Sequence, residues 1–262
     1  MEPQILHTIQ SYHDFSPEAC ANGMGIEFQD FTELNLFEGA WCEEILHYER
    51  LLTPRPAMVA MHGPFVDLKP FSYDGRIRHA SQWRYTMAMN VASLLDVDAI
   101  IFHSQLNPFL TNPWILEADR KTHAEFLLRL LDEFPSFHGK IYIENVYEND
   151  PKELRLLMEE IDHPRIGVNL DVGHANLTTT PLRAWLSELK PWIGYCHLQM
   201  NGGEKDEHRA PTEEEMQSIA RTFFQVLGKM VPLSLEYFTK DPLGEKERLL
   251  RIIHEVEKEG KI

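Results

Sequence analysis

The 262-residue chain is short of cysteine, of positive charge and of long apolar runs, and each shortage closes off a class of protein. Its three cysteines, Cys20, Cys42 and Cys196, are far apart and odd in number, so a disulfide framework is not expected and a reducing, cytoplasmic setting is. Lys and Arg number 25 against 41 Asp and Glu, a net charge of −16 with the histidines neutral. Such a surface repels polyanions, and a nucleic-acid partner would need a local cationic site. No apolar run approaches the roughly 18 residues of a membrane span. The opening MEPQILHTIQ has neither the basic start nor the apolar centre of a signal peptide. No low-complexity linker or internal repeat divides the chain, so one domain over residues 1–262 is expected.

What is present is alternation. Short apolar, β-branched segments fall at 5–10, 24–29, 57–62, 99–104, 140–146, 166–172, 192–198 and 232–238, each too short for a typical helix and apolar enough for a strand buried on both faces. Between them, segments at 75–95, 117–134, 151–161, 181–189, 212–230 and 243–258 carry apolar residues at three- and four-residue steps, and a short helix is expected near 16–22. SPEA, DPKE, TTPL and APTEEE supply start signals with proline near the first helical position. Strand and helix in turn mean right-handed βαβ units and a parallel sheet. Eight units in this length predict an α/β fold closed as a (β/α)8 TIM barrel, with a doubly wound open sheet as the alternative.

In a parallel barrel the C-terminal strand ends gather on one face, where the chemistry sits. Nearly every predicted strand ends in a metal-competent side chain: Glu27, His62, His103, Glu144 followed by Asn145, Asp171 with His174 behind it, His197 with Asp206 and His208 in the next loop, and Glu236. Carboxylates crowded into a partly dry cavity raise each other's pKa, and a divalent cation removes the conflict. Mixed carboxylate and imidazole donors suit zinc, manganese or iron better than calcium. Glu27 reads either as a carboxylate facing ligand or as a buried partner of a basic side chain. The remaining histidines, such as His123 and His254, read as structural.

GIEFQDF, MHGPFVDL, IFHS, IYIEN, NLDVGHAN, HLQMNGGEKDEH and LEYF, in this order and spacing, resemble the xylose-isomerase-like barrels over most of the chain. That superfamily includes sugar isomerases and epimerases and the endonuclease IV type. The isomerase branch implies one divalent metal, commonly manganese, held by Glu144, Asp171, His197 and Glu236, with the two glutamates also moving protons. The endonuclease branch implies three zinc ions and adds His62, His103, His174, Asp206 and His208. Two positions depart from the isomerase pattern: Gly203 stands where an arginine is common, leaving Arg209 as the nearest replacement, and Met200 stands where an aspartate is common.

The first expectation is therefore a metal-dependent sugar or sugar-phosphate isomerase or epimerase, using one to three manganese or zinc ions and passing through an enediolate. Phe65, Trp114 and Phe238 are candidates to stack on a sugar ring; Asn145, Gln199 and Arg209 are candidates to contact its hydroxyls. The alternative is an endonuclease IV-like phosphodiesterase acting on abasic DNA, and a third reading is a binding barrel without turnover. The acidic surface weighs against the nucleic-acid reading, nothing points to a membrane, and oligomeric association is left open.

Overall fold

The computed structural model describes residues 2–260; Met1, Lys261 and Ile262 lie outside them. Eight strands, β1 (Ile5–Ile9), β2 (Gly25–Phe28), β3 (Val59–His62), β4 (Ala99–His103), β5 (Lys140–Glu144), β6 (Ile166–Asp171), β7 (Ile193–Leu198) and β8 (Leu233–Leu235), close into a barrel in sequence order. Every neighbouring pair is parallel, and β1 closes on β8 through Ile5 opposite Leu233.

Period-two alternation divides each strand between two packing layers. Leu6, Ala60, Ala99, Ile101, Tyr142 and Tyr195 form a small cluster at the inward positions. Their immediate neighbours, among them Ile5, Val59, Ile100, Ile141 and Cys196, join the large core shared with the helices. Counting on by two from the inward cluster leads to His62, His103, Glu144 and His197, so one strand register both fills the barrel floor with apolar side chains and aims polar ones at its mouth.

The helices are α1 (Pro17–Ala21), α2 (Trp41–Leu51), α3 (Gly75–Leu94), α4 (Pro113–Glu133), α5 (Lys152–Ile161), α6 (Val172–Asn176), α7 (Leu182–Leu189), α8 (Glu213–Leu227) and α9 (Pro242–Glu259). Of the four expected start signals two form side-chain caps, while Pro151 and Pro181 precede α5 and α7 without one. Ser16 caps α1 ahead of Pro17, and Thr212 and Glu215 form a reciprocal capping box on α8. In α9, Leu249, Ile252, Ile253 and Val256 are buried as one stripe, each contributing about 1.5–3 kcal/mol of apolar burial. Two helices have no counterpart in the sequence reading. Ala40 precedes α2 without any side-chain cap, so no start signal marks it. The five-residue α6 is started by Asp171 itself, whose carboxylate accepts from the His174 amide. The strand expected at 232–238 ends at Leu235, which leaves Glu236 just past the ladder.

Candidate metal centre

The loop after β7 does most to complete the barrel mouth. Met200 and Arg209 pair antiparallel through backbone hydrogen bonds of 2.8 and 3.0 Å, folding the intervening residues back over the strand ends. Gly203 turns within that loop at φ +83°, a left-handed conformation that an arginine would adopt only with strain. His208 also sits at positive φ, 48°. The turn carries Asp206 and His208 to the β6 end, where Asp206 Oδ2 lies 3.1 Å from His174 Nε2 and 3.0 Å from His208 Nε2.

Four groups of ligand atoms, each with all members within 4.8 Å of one another, result. They are Glu144, Asp171, His197 and Glu236; His62, His103 and Glu144; His62, His197 and Glu236; and His174, Asp206 and His208. Every one of the nine candidate ligands falls in at least one group. His197 Nδ1 is the hub: Glu144 Oε2 is at 3.1 Å, Glu236 Oε2 at 3.0 Å and Asp171 Oδ2 at 4.0 Å. Glu144 joins the hub to the rest, with Oε1 3.2 Å from His174 Nδ1 and Oε2 3.5 Å from His62 Nε2.

The imidazole tautomers follow from their outer partners. A carbonyl oxygen only accepts, so the contacts of His62 Nδ1 with Gly63 O, His174 Nδ1 with Asn145 O and His208 Nδ1 with Glu236 O place a proton on each Nδ1. Nε2 of each is then the nitrogen turned toward the cluster, and on His174 and His208 it becomes a lone pair only when the proton shared with Asp206 leaves. His197 is turned the other way, with Nε2 on the Glu27 carboxylate at 3.0 Å and Nδ1 facing the hub.

Asn169 donates to Glu144 Oε2 and Gln29 to Glu236 Oε1, both at 3.0 Å. Gln199 spans Asp171 and Asp206. After these bonds, Glu144 Oε1, Asp171 Oδ2, His197 Nδ1 and Glu236 Oε2 are buried without a hydrogen-bond partner. Such groups are uncommon in folded proteins because each forfeits its hydration. Here the four unpartnered atoms belong to the four residues of one ligand group. Three carboxylates and an imidazole lone pair are a donor set that a divalent cation satisfies, and the residues fit one.

The electrostatics show the same conflict in the metal-free chain. Burial pushes the Asp171 carboxyl up to about 8. Burial also acts on Glu144, but His197 and His103 outweigh it and hold that carboxyl well below its ordinary range. Two buried carboxyls in one cluster are thus pushed in opposite directions, Asp171 upward by burial and Glu144 downward by its imidazole neighbours. Burial drives His103 down to about 3, whereas its hydrogen bond to Asp206 lifts His208 to about 9.

The expected substrate contacts scatter. Phe65 stacks on His103 with centroids 4.2 Å apart. Asn145 is spent on the Asp171 backbone. Arg209 is clamped by both Glu215 oxygens at 2.6 and 2.7 Å, in a groove with Asn176, Thr178 and Ser218. Trp114 and Phe238 are exposed. Of the two readings of Glu27, the geometry matches the buried partner of a basic side chain and not the carboxylate facing ligand: it is wholly buried under His197, because its β2 position points to the barrel interior one layer below the mouth. Gln29, two residues further on, reaches the mouth, and sequence reasoning passed it over. The period-two step from Glu27 was the signal.

A family model described as "Xylose isomerase-like TIM barrel" matches residues 37–256. The chain belongs to that family. An uncharacterized protein of Methanocaldococcus jannaschii is 26% identical over 185 residues, which span 66% of this chain and 59% of that protein's length. Among solved structures, a Thermus thermophilus protein from a crystal soaked with ZnCl2 aligns over 97% of this chain and 99% of its own at TM-score 0.75 and 22% identity. A D-tagatose 3-epimerase-like protein aligns over the whole of both chains at TM-score 0.76 and 19% identity. An L-ribulose 3-epimerase covers 100% of this chain and 97% of its own at 0.72 and 13%. At these identities the likeness to the solved structures is one of fold. In this xylose isomerase-like barrel, no helix among the described residues is long and apolar enough to cross a membrane.

Proposed function

We propose that the protein is a divalent-metal-dependent isomerase or epimerase of a sugar or sugar phosphate. The carrying observation is the pair of glutamates on β5 and just past β8, which meet at one imidazole nitrogen while each keeps an oxygen without a hydrogen-bond partner. A manganese or zinc ion held by Glu144, Asp171, His197 and Glu236 would supply Lewis-acid polarisation of adjacent carbonyl and hydroxyl oxygens. One glutamate takes the proton from the substrate carbon and the other returns it. Asn169 and Gln29 hold the opposite oxygens, so each carboxylate is oriented before substrate arrives. A crevice of about 500 Å³ between the ends of β8 and β1 opens onto Glu236, His208 and Gln29 and gives a sugar access from that side. The free cysteines accord with a cytoplasmic setting. The epimerases among the fold relatives support a sugar as substrate.

The test is exchange of carbon-bound hydrogen in deuterated water, with manganese- or zinc-loaded protein and a panel of aldoses, ketoses and their phosphates. Wild-type protein is expected to label the carbon next to the carbonyl of at least one member, and Glu144→Gln none. Absence of exchange with every member would remove the reading.

A phosphoester hydrolase of the endonuclease IV type is the second reading, favoured by the separate His174, Asp206 and His208 group. It requires about three metals per chain, against one for the isomerase, and nicking of abasic-site DNA. Elemental analysis of the purified protein separates the two.

A further inference from the structure

We propose that Glu27 is a positioning residue that holds His197 with its proton on Nε2, so that Nδ1 is presented to Glu144, Asp171 and Glu236, and that Tyr195 holds Glu27 in turn. The inference rests on the metal-centre reading above and deepens it.

His197 differs from three of the other four candidate ligand histidines. His62, His174 and His208 each rest on a neutral backbone carbonyl and offer Nε2. His197 rests on a carboxylate and offers Nδ1. Both Glu27 oxygens lie near its Nε2, at 3.0 and 3.2 Å, and the Tyr195 hydroxyl donates to Oε2 at 2.7 Å. All three side chains are wholly buried, so water does not substitute for any of these bonds. Tyr195 is itself braced by stacking on Tyr142, centroids 5.5 Å apart. The imidazole at the hub therefore has a fixed ring plane and an anionic partner behind it. A carboxylate partner makes an imidazole a stronger donor than a carbonyl does, and outer partners of this kind are worth about 10–100-fold in metal affinity.

The placement follows from the strand register. Glu27 on β2 and Tyr195 and His197 on β7 are inward positions, and they meet across the barrel although 168 and 170 residues separate them. A hydrophobic residue at position 27 would pack the same layer, so the acid is not required for filling.

The experiment is competition for zinc between a chelating dye and four proteins: wild type, Glu27→Gln, Glu27→Leu and Tyr195→Phe. Thermal melting of each metal-free protein is run alongside. Glu27→Leu is expected to weaken zinc binding about 10–100-fold. Glu27→Gln, which keeps an acceptor for Nε2–H, is expected to restore most of that loss, and Tyr195→Phe to lose a few-fold. In the zinc-loaded wild type, long-range ¹H–¹⁵N spectra are expected to show His197 protonated at Nε2 and metal-shifted at Nδ1. Wild-type affinity in Glu27→Leu, or a proton on His197 Nδ1 in the zinc form, would overturn the proposal. Should Glu27→Leu fail to fold, equal affinity of Tyr195→Phe and wild type, together with a proton on Nδ1, overturns it as well. A wild type that binds no zinc overturns the metal-centre reading itself, so the two failures are distinct.

Discussion

Replacing Glu144 by glutamine is the sharpest probe of the centre, because Glu144 belongs to two of the four ligand groups and its oxygens lie 3.1 Å from His197 and 3.2 Å from His174. Glutamine is isosteric. Asn169 donates to Oε2, so the amide oxygen stays there and the amide nitrogen takes the place of the unpartnered Oε1. A lone pair aimed at the cation becomes an N–H. Removing even an outer partner of a metal ligand costs about 10–100-fold, so loss of the ligand is set at ~100-fold or more. Zinc at a thousand times the wild-type Kd stabilises the folded chain by about 4.1 kcal/mol, and the same zinc stabilises the variant by about 1.4 kcal/mol. With an unfolding entropy of ~2.1 cal/mol/K per residue over 262 residues, these become rises in Tm of about 7 °C and about 2–3 °C. Scanning calorimetry of both proteins with and without zinc measures them. An equal zinc-dependent rise in the two would refute the assignment of Glu144 as a ligand.

Three further outcomes follow from separate parts of the molecule. In the metal-free chain, burial lowers the pKa of His174 and His197, but their carboxylate neighbours more than reverse it and hold both above the ordinary histidine value, and His208 stands at about 9. Zinc must displace those protons, so binding is expected to release protons at neutral pH and to tighten as pH rises from about 6 to about 9. Titration calorimetry in buffers of different ionisation enthalpy measures the release, and an affinity independent of pH would contradict it. Far from the centre, burial and the neighbouring Asp30 lift Glu44 from 4.5 to about 7. A raised acid favours the fold below its ordinary pKa and loses that contribution as pH climbs through its raised value. Glu44→Gln is therefore expected to raise Tm at pH 8 and leave it unchanged at pH 4; a gain at pH 4 alone would reverse the sign and defeat the argument. At Gly173 an added Cβ would lie 2.1 Å from Gln199 Cδ. Gly173→Ala is expected to cost about 1–3 kcal/mol by overpacking and to weaken zinc binding through the displaced Gln199. Urea unfolding and chelator competition check both, and wild-type values in each would mean that Gln199 moves aside freely.

Much of the centre was readable because metal ligands are chemically conspicuous and barrel strands end on one face. His62, His103, Glu144 and Asp171 each close a short apolar run, and His197 stands one residue from the end of another. The β6 end was the clearest case, since Asp171 serves at once as last strand residue, helix cap and candidate ligand. Helix α2 was not readable, because neither a cap nor a proline opens it. The role of Gln29 was missed for a different reason: an amide carries no charge and no ligand signature, and its value lies in a bond to Glu236, 207 residues away.

Local pattern was enough to determine the alternation of eight strands with helices, hence a parallel sheet, and the kind of side chain that gathers at its strand ends, because periodicity and burial are written into consecutive residues. The choice of a closed barrel over an open sheet was made by the pairing of β1 with β8. Tertiary structure alone decided which nitrogen each imidazole presents, which oxygens stay unpartnered and that Glu27 lies beneath His197 instead of facing a ligand. Those outcomes depend on distances of about 3 Å between strands, and separation along the chain carries no information about such distances.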